Sequence, residues 1–298
     1  MCAAYTRDMT VVLPENLESQ RAWDGVLFER FVAFRHLVVD SLAPHGAEAI
    51  RLSPPAPGDR VVDIGCGFGD TAQALAAIAG PEGSVLGVDI APNFIDVARK
   101  EAAEGGVENV RFAVQDVQAT PFEQRFDYAF SRFGTMFFEN PVPALRNVRE
   151  AMSPGATLCI VVWRRRYDNP WVYEAERVVK PLVEVPEETD EARCGPGPFS
   201  MADADTTSGQ LKSAGFVDIS LRRFDAPLKI GATLDEAIAL NLALGPAAEV
   251  VRLAGDAADA VRPRIEALLR EALAPFVTPD GVVAQSSTWI ATARAPES

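Results

Sequence analysis

The segment 61–70, Val-Val-Asp-Ile-Gly-Cys-Gly-Phe-Gly-Asp, places the strongest constraint on how this chain can fold. An apolar run typical of a buried strand leads into three glycines at alternate positions, and a helical pattern follows. Because glycine lacks a Cβ, the backbone can turn sharply there and lie against a ligand. The start of the following helix offers unpaired N–H groups that suit a carboxylate or a phosphate. The segment therefore predicts a strand–turn–helix unit that binds a ligand at the turn.

Two acidic residues distinguish between classes of ligand. Asp63 lies two positions before Gly65, where its carboxylate would repel a pyrophosphate but would pair with an ammonium group. Asp89 ends a second apolar run, 20 residues after Gly69, and can accept hydrogen bonds from ribose hydroxyls. The nicotinamide pattern G-x-G-x-x-G needs a glycine where this chain has Asp70. These positions predict a nucleoside cofactor with a cationic, amine-bearing end; the alternative is a unit whose glycines only permit tight packing.

Alternating apolar runs and helical periodicities from residue 60 onward predict an α/β fold. We expect a seven-stranded, mostly parallel sheet with helices on both faces, its strands near 60–64, 84–89, 109–114, 126–131, 157–163, 217–223 and 286–294. Residues 1–55 are predicted to be an N-terminal helical cap segment and 56–298 the main domain, with cap insertions at about 164–205 and 225–284. We expect these segments to meet over the carboxyl ends of the strands, where open parallel sheets bind ligands.

Composition limits the partners and the compartment. With 42 acidic and 28 basic residues the net charge is −14, which argues against a nucleic-acid substrate. No apolar run approaches the roughly 18 residues of a membrane span, so no membrane association is expected. The four cysteines, at positions 2, 66, 159 and 194, form no C-x-x-C pair, and no ligand-spaced cluster predicts a metal. We expect a cytoplasmic protein; an oligomer is possible but cannot be read from the sequence.

Residues 60–163 resemble class I S-adenosylmethionine-dependent methyltransferases, in particular the small-molecule and quinone-ring C-methyltransferases. The order and spacing of five segments carry the resemblance: Val61–Gly69, Gly87–Ile90, Gln115–Val117, Phe126–Phe133 and Ser153–Ala156. The flanks are similar to a bacterial subset of this group through Gln20-x-x-Trp23-Asp24-Gly25, Asn169-Pro170-Trp171 and Gly195-Pro196-Gly197-Pro198-Phe199. The resemblance implies a Rossmann-like sheet with a helical cap, S-adenosyl-L-methionine as cofactor and S-adenosyl-L-homocysteine as product.

The resemblance also implies which residues bind the cofactor. The residues implied to contact the methionine end are Asp63, Gly65, Cys66 and Gly67. Asp89 is implied to contact the ribose, and Ser131 is implied to lie beside the methyl donor. The residues implied to contact the adenine are Ile90, Phe94, Asp116 and Val117. Cys66 could be suspected as a nucleophile, but its position between two ligand-facing glycines indicates a role for its backbone. Without the resemblance, Asp116 could equally be an ordinary loop aspartate.

The acceptor site is less determined by the sequence. Transfer from a sulfonium needs an aligned nucleophile and exclusion of water, so proximity can replace a catalytic residue. A general base helps where the acceptor is a hydroxyl, and either His36 or His45 of the N-terminal cap could serve. His36 is the candidate base, with helix packing as its alternative role. The candidate acceptor-binding residues are Arg132, Phe133, Phe137, Trp163 and Trp171. Further aromatic candidates are Trp23, Phe199 and Trp289, and packing within the cap is the alternative for every aromatic residue.

Together these observations predict methyl transfer to a small-molecule acceptor that is aromatic or polyketide-like. One alternative is a sensor or assembly protein that binds S-adenosylmethionine without methyl transfer and lacks an acceptor cavity. A nicotinamide oxidoreductase is a further alternative, which Asp63 and Asp70 disfavour.

Overall fold

A mixed β-sheet forms the centre of the computed structural model, which describes residues 12, 14–184 and 196–297. Its strands are β1 (Arg60–Ile64), β2 (Ser84–Asp89), β3 (Val110–Val114), β4 (Phe126–Arg132), β5 (Met152–Trp163), β6 (Val217–Gly231), β7 (Val277–Thr278) and β8 (Gly281–Arg294). The order is β3-β2-β1-β4-β5-β8-β6, with β7 beside β8. Strands β1 to β5 pair in parallel, whereas β8 is antiparallel to β5, β6 and β7. The predicted fold class is confirmed; the two-residue β7 makes an eighth strand in the described sheet.

Twelve α-helices of the described residues surround this sheet. They are α1 (Leu17–Ala22), α2 (Phe28–Ala33), α3 (Arg35–Leu52), α4 (Asp70–Ala79), α5 (Pro92–Glu104), α6 (Pro141–Glu150), α7 (Pro170–Val179), α8 (Ala204–Ser213), α9 (Leu234–Ala243), α10 (Pro246–Ala254), α11 (Asp256–Ala260) and α12 (Arg262–Leu273). A π-helical segment, Trp23–Leu27, joins α1 to α2. Helices α4 and α5 each connect two parallel strands, which is the arrangement that the alternating sequence pattern predicts.

Strand β1 lies at the centre of the sheet and is buried on both faces. Val61 belongs to one apolar core, and Val62 and Ile64 belong to the core on the other side. Asp63 pairs with Gly87 of β2 and with Phe130 of β4, so neighbouring strands flank it on both sides. The strand order reverses between β1 and β4, and ligands of open α/β sheets bind at such a point.

The last two long strands extend further than the sequence predicted. We expected this strand to end near residue 223, but β6 continues to Gly231 and pairs with β8 along this length, although Pro227 cannot donate a ladder hydrogen bond. Strand β6 is at the edge of the sheet, where a proline is tolerated. Ala226, Leu228 and Ile230 alternate as buried residues along the additional segment. The strand therefore brings Leu228 and Lys229 to the wall of the cavity described below.

Two of the four cysteines lie among the described residues, whose helices were also compared with the requirements of a membrane span. Cys66 and Cys159 are buried free thiols, whereas Cys2 and Cys194 lie outside the described residues. No single described helix combines the length and apolarity needed to cross a membrane; the helix pair α9–α10, bent by 61°, meets that test by length and composition alone.

Candidate functional site

A cavity of about 660 Å³ lies where β1, β2, β4 and β5 end. Residues from α1 to α3, from α7, from 196–199 and from α9 to α10 complete its walls. The residues predicted as site residues that line it are Gly65, Cys66, Gly67, Asp89, Ile90, Phe94, Asp116, Val117, Arg132, Phe133, Phe137, Trp163 and Trp171. Asp63, Ser131 and His36 are not among the lining residues. The structure thus gathers most predicted cofactor and acceptor residues around one space.

The glycine-rich turn forms one wall of this cavity because its backbone is left-handed. Gly65, Gly67 and Gly69 have φ angles of 68°, 53° and 80°. A Cβ on Gly65 would lie 2.9 Å from Gly134 Cα, so a side chain cannot fit there. A Cβ on Gly67 would have one neighbour within 4 Å, Phe94 Cδ1 at 3.9 Å, which is an ordinary van der Waals contact. The turn therefore presents bare backbone to the cavity.

Asp63 carries an unpaired carboxyl oxygen at the end of β1. Its side chain is buried, with 1% of the residue exposed, and Oδ2 has no hydrogen-bond partner. Burial raises the pKa of Asp63 to about 8; the Arg132 guanidinium opposes this shift, and the Asp70 and Asp89 carboxylates add to it. The acid is therefore mostly protonated at neutral pH. A buried acceptor without a partner is uncommon in proteins and indicates a missing donor, which an ammonium group can provide.

Asp89 holds the glycine-rich turn through its carboxylate. Oδ2 accepts from the Gly67 N–H at 3.0 Å and Oδ1 accepts from the Ala91 N–H at 3.0 Å. Burial raises the pKa of Asp89, and these backbone hydrogen bonds partly offset the shift. Each carboxylate oxygen keeps acceptor capacity beyond one hydrogen bond, so the residue can still accept from a ligand hydroxyl.

The N-terminal helices attach directly to the loops that follow β2 and β3. Asn16 Nδ2 donates to Asp116 Oδ2 at 2.8 Å, and the Gln118 N–H donates to Asp116 Oδ1 at 3.0 Å. Gln20 Nε2 donates to the Ile90 carbonyl at 3.0 Å. The sequence did not single out Asn16, which lies 100 residues from its partner, and Gln20 was noted only as part of a flanking motif.

Aromatic rings line the cavity near the glycine-rich turn. Trp23 packs edge-on against Phe137, with ring centroids 4.8 Å apart, and also contacts Phe94 at 6.5 Å. Phe133 stacks on Trp163 at 4.4 Å, with the ring planes 27° apart. Phe133 has a φ of 61°, which is unusual for a bulky residue and turns the chain immediately after β4. Trp23, Phe133, Phe137 and Trp163 thus form an aromatic part of the cavity wall beside the glycine-rich turn.

Several candidates hold structural positions instead of facing the cavity. Ser131 Oγ donates to the Ile64 carbonyl at 2.7 Å, which ties β4 to β1. Trp289 Nε1 donates to the Ala202 carbonyl at 3.0 Å, and its ring lies outside the cavity wall. Arg132 does line the cavity, where its guanidinium donates to Asp70 Oδ2 at 2.8 Å.

Neither histidine is positioned in the cavity wall. His36, the predicted base, has a side chain that is 57% exposed and pairs with Glu236 at 2.9 Å. Helix α3 directs this residue toward α9, so the structure does not bring His36 to the site. His45 is buried between Ser286 and Thr288, and burial lowers its pKa to about 4, which keeps it neutral. Across the described residues, no group of His, Cys, Asp or Glu side chains is arranged to hold a metal ion.

Comparisons with known proteins agree on one domain type. Residues 55–193 match the family model described as a methyltransferase domain. The chain is 35% identical over 126 residues to aklanonic acid methyltransferase of Streptomyces sp. strain C5, covering 42% of this chain and 57% of the relative. It is 35% identical over 114 residues to the ubiquinone/menaquinone biosynthesis C-methyltransferase of Ectopseudomonas mendocina strain ymp, covering 38% and 44%. The chain thus spans about half the length of the curated relatives it matches.

Solved structures support the fold. The YcgJ protein from Bacillus subtilis aligns with a TM-score of 0.53 at 19% identity, covering 87% of this chain and 99% of its own. A protein from Bacillus halodurans C-125 aligns with the same TM-score and identity, covering 84% and 98%. At this identity the likeness concerns the fold alone.

Proposed function

We propose, since residues 55–193 belong to the S-adenosylmethionine-dependent methyltransferases, that the protein transfers a methyl group to a small-molecule acceptor that is aromatic or polyketide-like. The observation that carries the proposal is the buried, unpartnered carboxyl oxygen of Asp63, which directly precedes a left-handed glycine turn that lines a cavity of about 660 Å³. This combination suits a ligand that carries an ammonium group and a nucleoside and whose reacting group points into the remaining space of the cavity.

The residues at the glycine-rich end fit S-adenosylmethionine. Asp63 would pair with the ammonium group, and the bare backbone at Gly65 and Gly67 would lie against the methionine chain. Asp89 would accept from the ribose hydroxyls, while Asp116, held by Asn16, would accept from the adenine amino group. When bound, the cofactor supplies a methyl group activated by a positively charged sulfur.

The protein's own contribution to the reaction is positioning and the exclusion of water. The stacked Phe133 and Trp163 rings and the edge-on Trp23 and Phe137 rings narrow the space beside the glycine turn. Aromatic faces attract a neighbouring cation and also pack against a planar acceptor. Holding two reactants in place can lower the barrier by about 7–11 kcal/mol without an acid or base. The placement of both histidines away from the cavity wall is compatible with such a mechanism.

The acceptor class draws support from two sources. The part of the cavity wall that α9 and α10 contribute is mainly apolar and includes leucines from both helices, which suits a hydrophobic small molecule. Two relatives are described as acting on aklanonic acid and in ubiquinone and menaquinone biosynthesis. A sensor that binds the cofactor without methyl transfer would need no space for an acceptor, so the apolar part of the cavity favours the enzyme.

Binding and turnover test this proposal. We expect isothermal titration calorimetry to give a dissociation constant for S-adenosylhomocysteine well below about 1 mM, and reduced nicotinamide dinucleotide to produce no signal. With radiolabelled S-adenosylmethionine and a panel of hydroxylated anthraquinones and naphthoquinones, label should pass to at least one acceptor. Binding of S-adenosylhomocysteine weaker than about 1 mM, or tight binding of the dinucleotide, would contradict the proposal.

A further inference from the structure

Two parts of the cavity wall differ in charge. Asp89 and Asp116 line it near the glycine-rich turn, and Asp63 is buried two residues before Gly65, which suits a cationic cofactor. Another part of the wall, defined here as the α9–α10 wall, consists of cavity-lining residues within 240–253, most of them apolar. Arg30 of α2 lines the cavity and contacts this wall. A cationic side chain in the wall of a cavity within a strongly acidic chain calls for a physical explanation.

Arg30 differs from the other arginines in the lining because its guanidinium has no carboxylate partner among the described residues. Its Nη1 donates to the Ala243 carbonyl at 3.0 Å, which is a neutral acceptor. By contrast, Arg132 pairs with Asp70 at 2.8 Å and Arg166 pairs with Glu176 at 2.7 Å. A guanidinium has five N–H donors, so Arg30 keeps donors available while the Ala243 bond fixes its orientation.

The acidic residue on the same wall does not neutralise Arg30. Glu249 lines the cavity, but its carboxylate pairs with Arg252 at 2.9 Å. Leu240, Leu244 and Leu253 make the surroundings apolar, and low polarity strengthens the attraction between a guanidinium and an anion. The local arrangement therefore favours a ligand that brings its own negative charge.

From these contacts we propose that the acceptor is an aromatic acid whose carboxylate binds Arg30 while its rings occupy the apolar part of the cavity. This inference rests on the proposed function and adds the charge of the acceptor to it. The bidentate geometry of a carboxylate matches the fork of the Arg30 guanidinium.

A matched pair of probes tests the inference directly. Anthraquinone-2-carboxylate and anthraquinone-2-carboxamide have the same rings but differ in charge, and each would be titrated calorimetrically into the protein saturated with S-adenosylhomocysteine at pH 7.5. We expect the wild type to bind the carboxylate about tenfold or more tightly than the carboxamide. Arg30→Gln should reduce this ratio to about one by weakening carboxylate binding alone.

Control variants separate a binding role from a folding role. Arg21→Gln removes an exposed arginine of the neighbouring α1 that does not line the cavity, and it should leave the ratio unchanged. Arg30→Lys keeps the charge but not the fork of the guanidinium, so we expect an intermediate ratio of carboxylate to carboxamide affinity. This variant replaces Arg30→Gln in the test if Arg30→Gln does not fold. Equal binding of both probes to the wild type, or an unchanged ratio in the folded Arg30→Gln variant, overturns the inference. If neither probe binds while S-adenosylhomocysteine does, the aromatic-acid assignment fails and the proposed function stands.

Discussion

Asp63→Asn is expected to weaken S-adenosylhomocysteine binding by at least about 30-fold, because it removes the carboxylate that would pair with the ligand ammonium in a buried site. Asparagine is nearly isosteric, so the shape of the strand end should be retained. Burial penalises the ionised acid in the unliganded protein, and we expect the variant to keep or exceed the wild-type Tm. Calorimetric titration and thermal unfolding of the unliganded protein measure the two effects separately.

The contrast between these two readouts is the informative result. An acid retained for the stability of the fold would give a lower Tm, while an acid retained for ligand binding gives weak binding at an unchanged Tm. Asp70→Asn is a useful comparison, since Asp70 lines the cavity but already pairs with Arg132. If Asp63→Asn binds S-adenosylhomocysteine as tightly as the wild type, the ammonium assignment is wrong.

Gly65→Ala should cost both stability and ligand binding. Its φ of 68° would place an alanine in the left-handed region at a cost of about 1–2 kcal/mol. The added Cβ would also lie 2.9 Å from Gly134 Cα, and displacing that backbone should cost about 1–3 kcal/mol more. Urea unfolding should therefore show a loss of about 2–5 kcal/mol in the free energy of unfolding.

Gly106→Ala provides the matched control for this substitution. Gly106 follows α5 with a φ of 66° but has no atom within 4 Å of its would-be Cβ, so it tests the backbone strain without the steric overlap. We expect a loss of only about 1–2 kcal/mol and unchanged binding of S-adenosylhomocysteine. Equal losses in the two variants would mean that the close approach of Gly65 and Gly134 has no energetic role.

The parallel half of the sheet was predictable because local sequence determines it. Strand β1 has an uninterrupted apolar run, and glycines at fixed positions mark its end, so both the element and the ligand turn follow from ten residues. The antiparallel strand β6 was predicted too short. It continues through Pro227, and only the position of β6 at the edge of the sheet makes this proline acceptable. That position is a property of the whole fold.

The site shows the same division between local and long-range information. Asp63 and Asp89 could be proposed from the sequence because each ends a recognisable strand. Asn16 and Arg30 could not, because their partners Asp116 and Ala243 lie 100 and 213 residues further along the chain. His36 was predicted from residue type alone, and the three-dimensional structure places it against Glu236 at the surface. Aromatic cap residues such as Trp171 could be proposed from residue type, whereas the polar contacts made by Asn16 and Arg30 are identifiable only once the cap is docked.

Proton release on ligand binding tests the central claim most directly. Because burial raises the pKa of Asp63 to about 8, the acid is mostly protonated at pH 6.5, and pairing with an ammonium group must ionise it. Titration of S-adenosylhomocysteine at pH 6.5 in two buffers of different ionisation enthalpy should show release of about one proton per ligand bound. The number of protons released should fall toward zero above about pH 9. Asp63→Asn should abolish this release. Binding without proton release, or the same release in Asp63→Asn, would contradict the assignment of Asp63 as the partner of the cofactor ammonium.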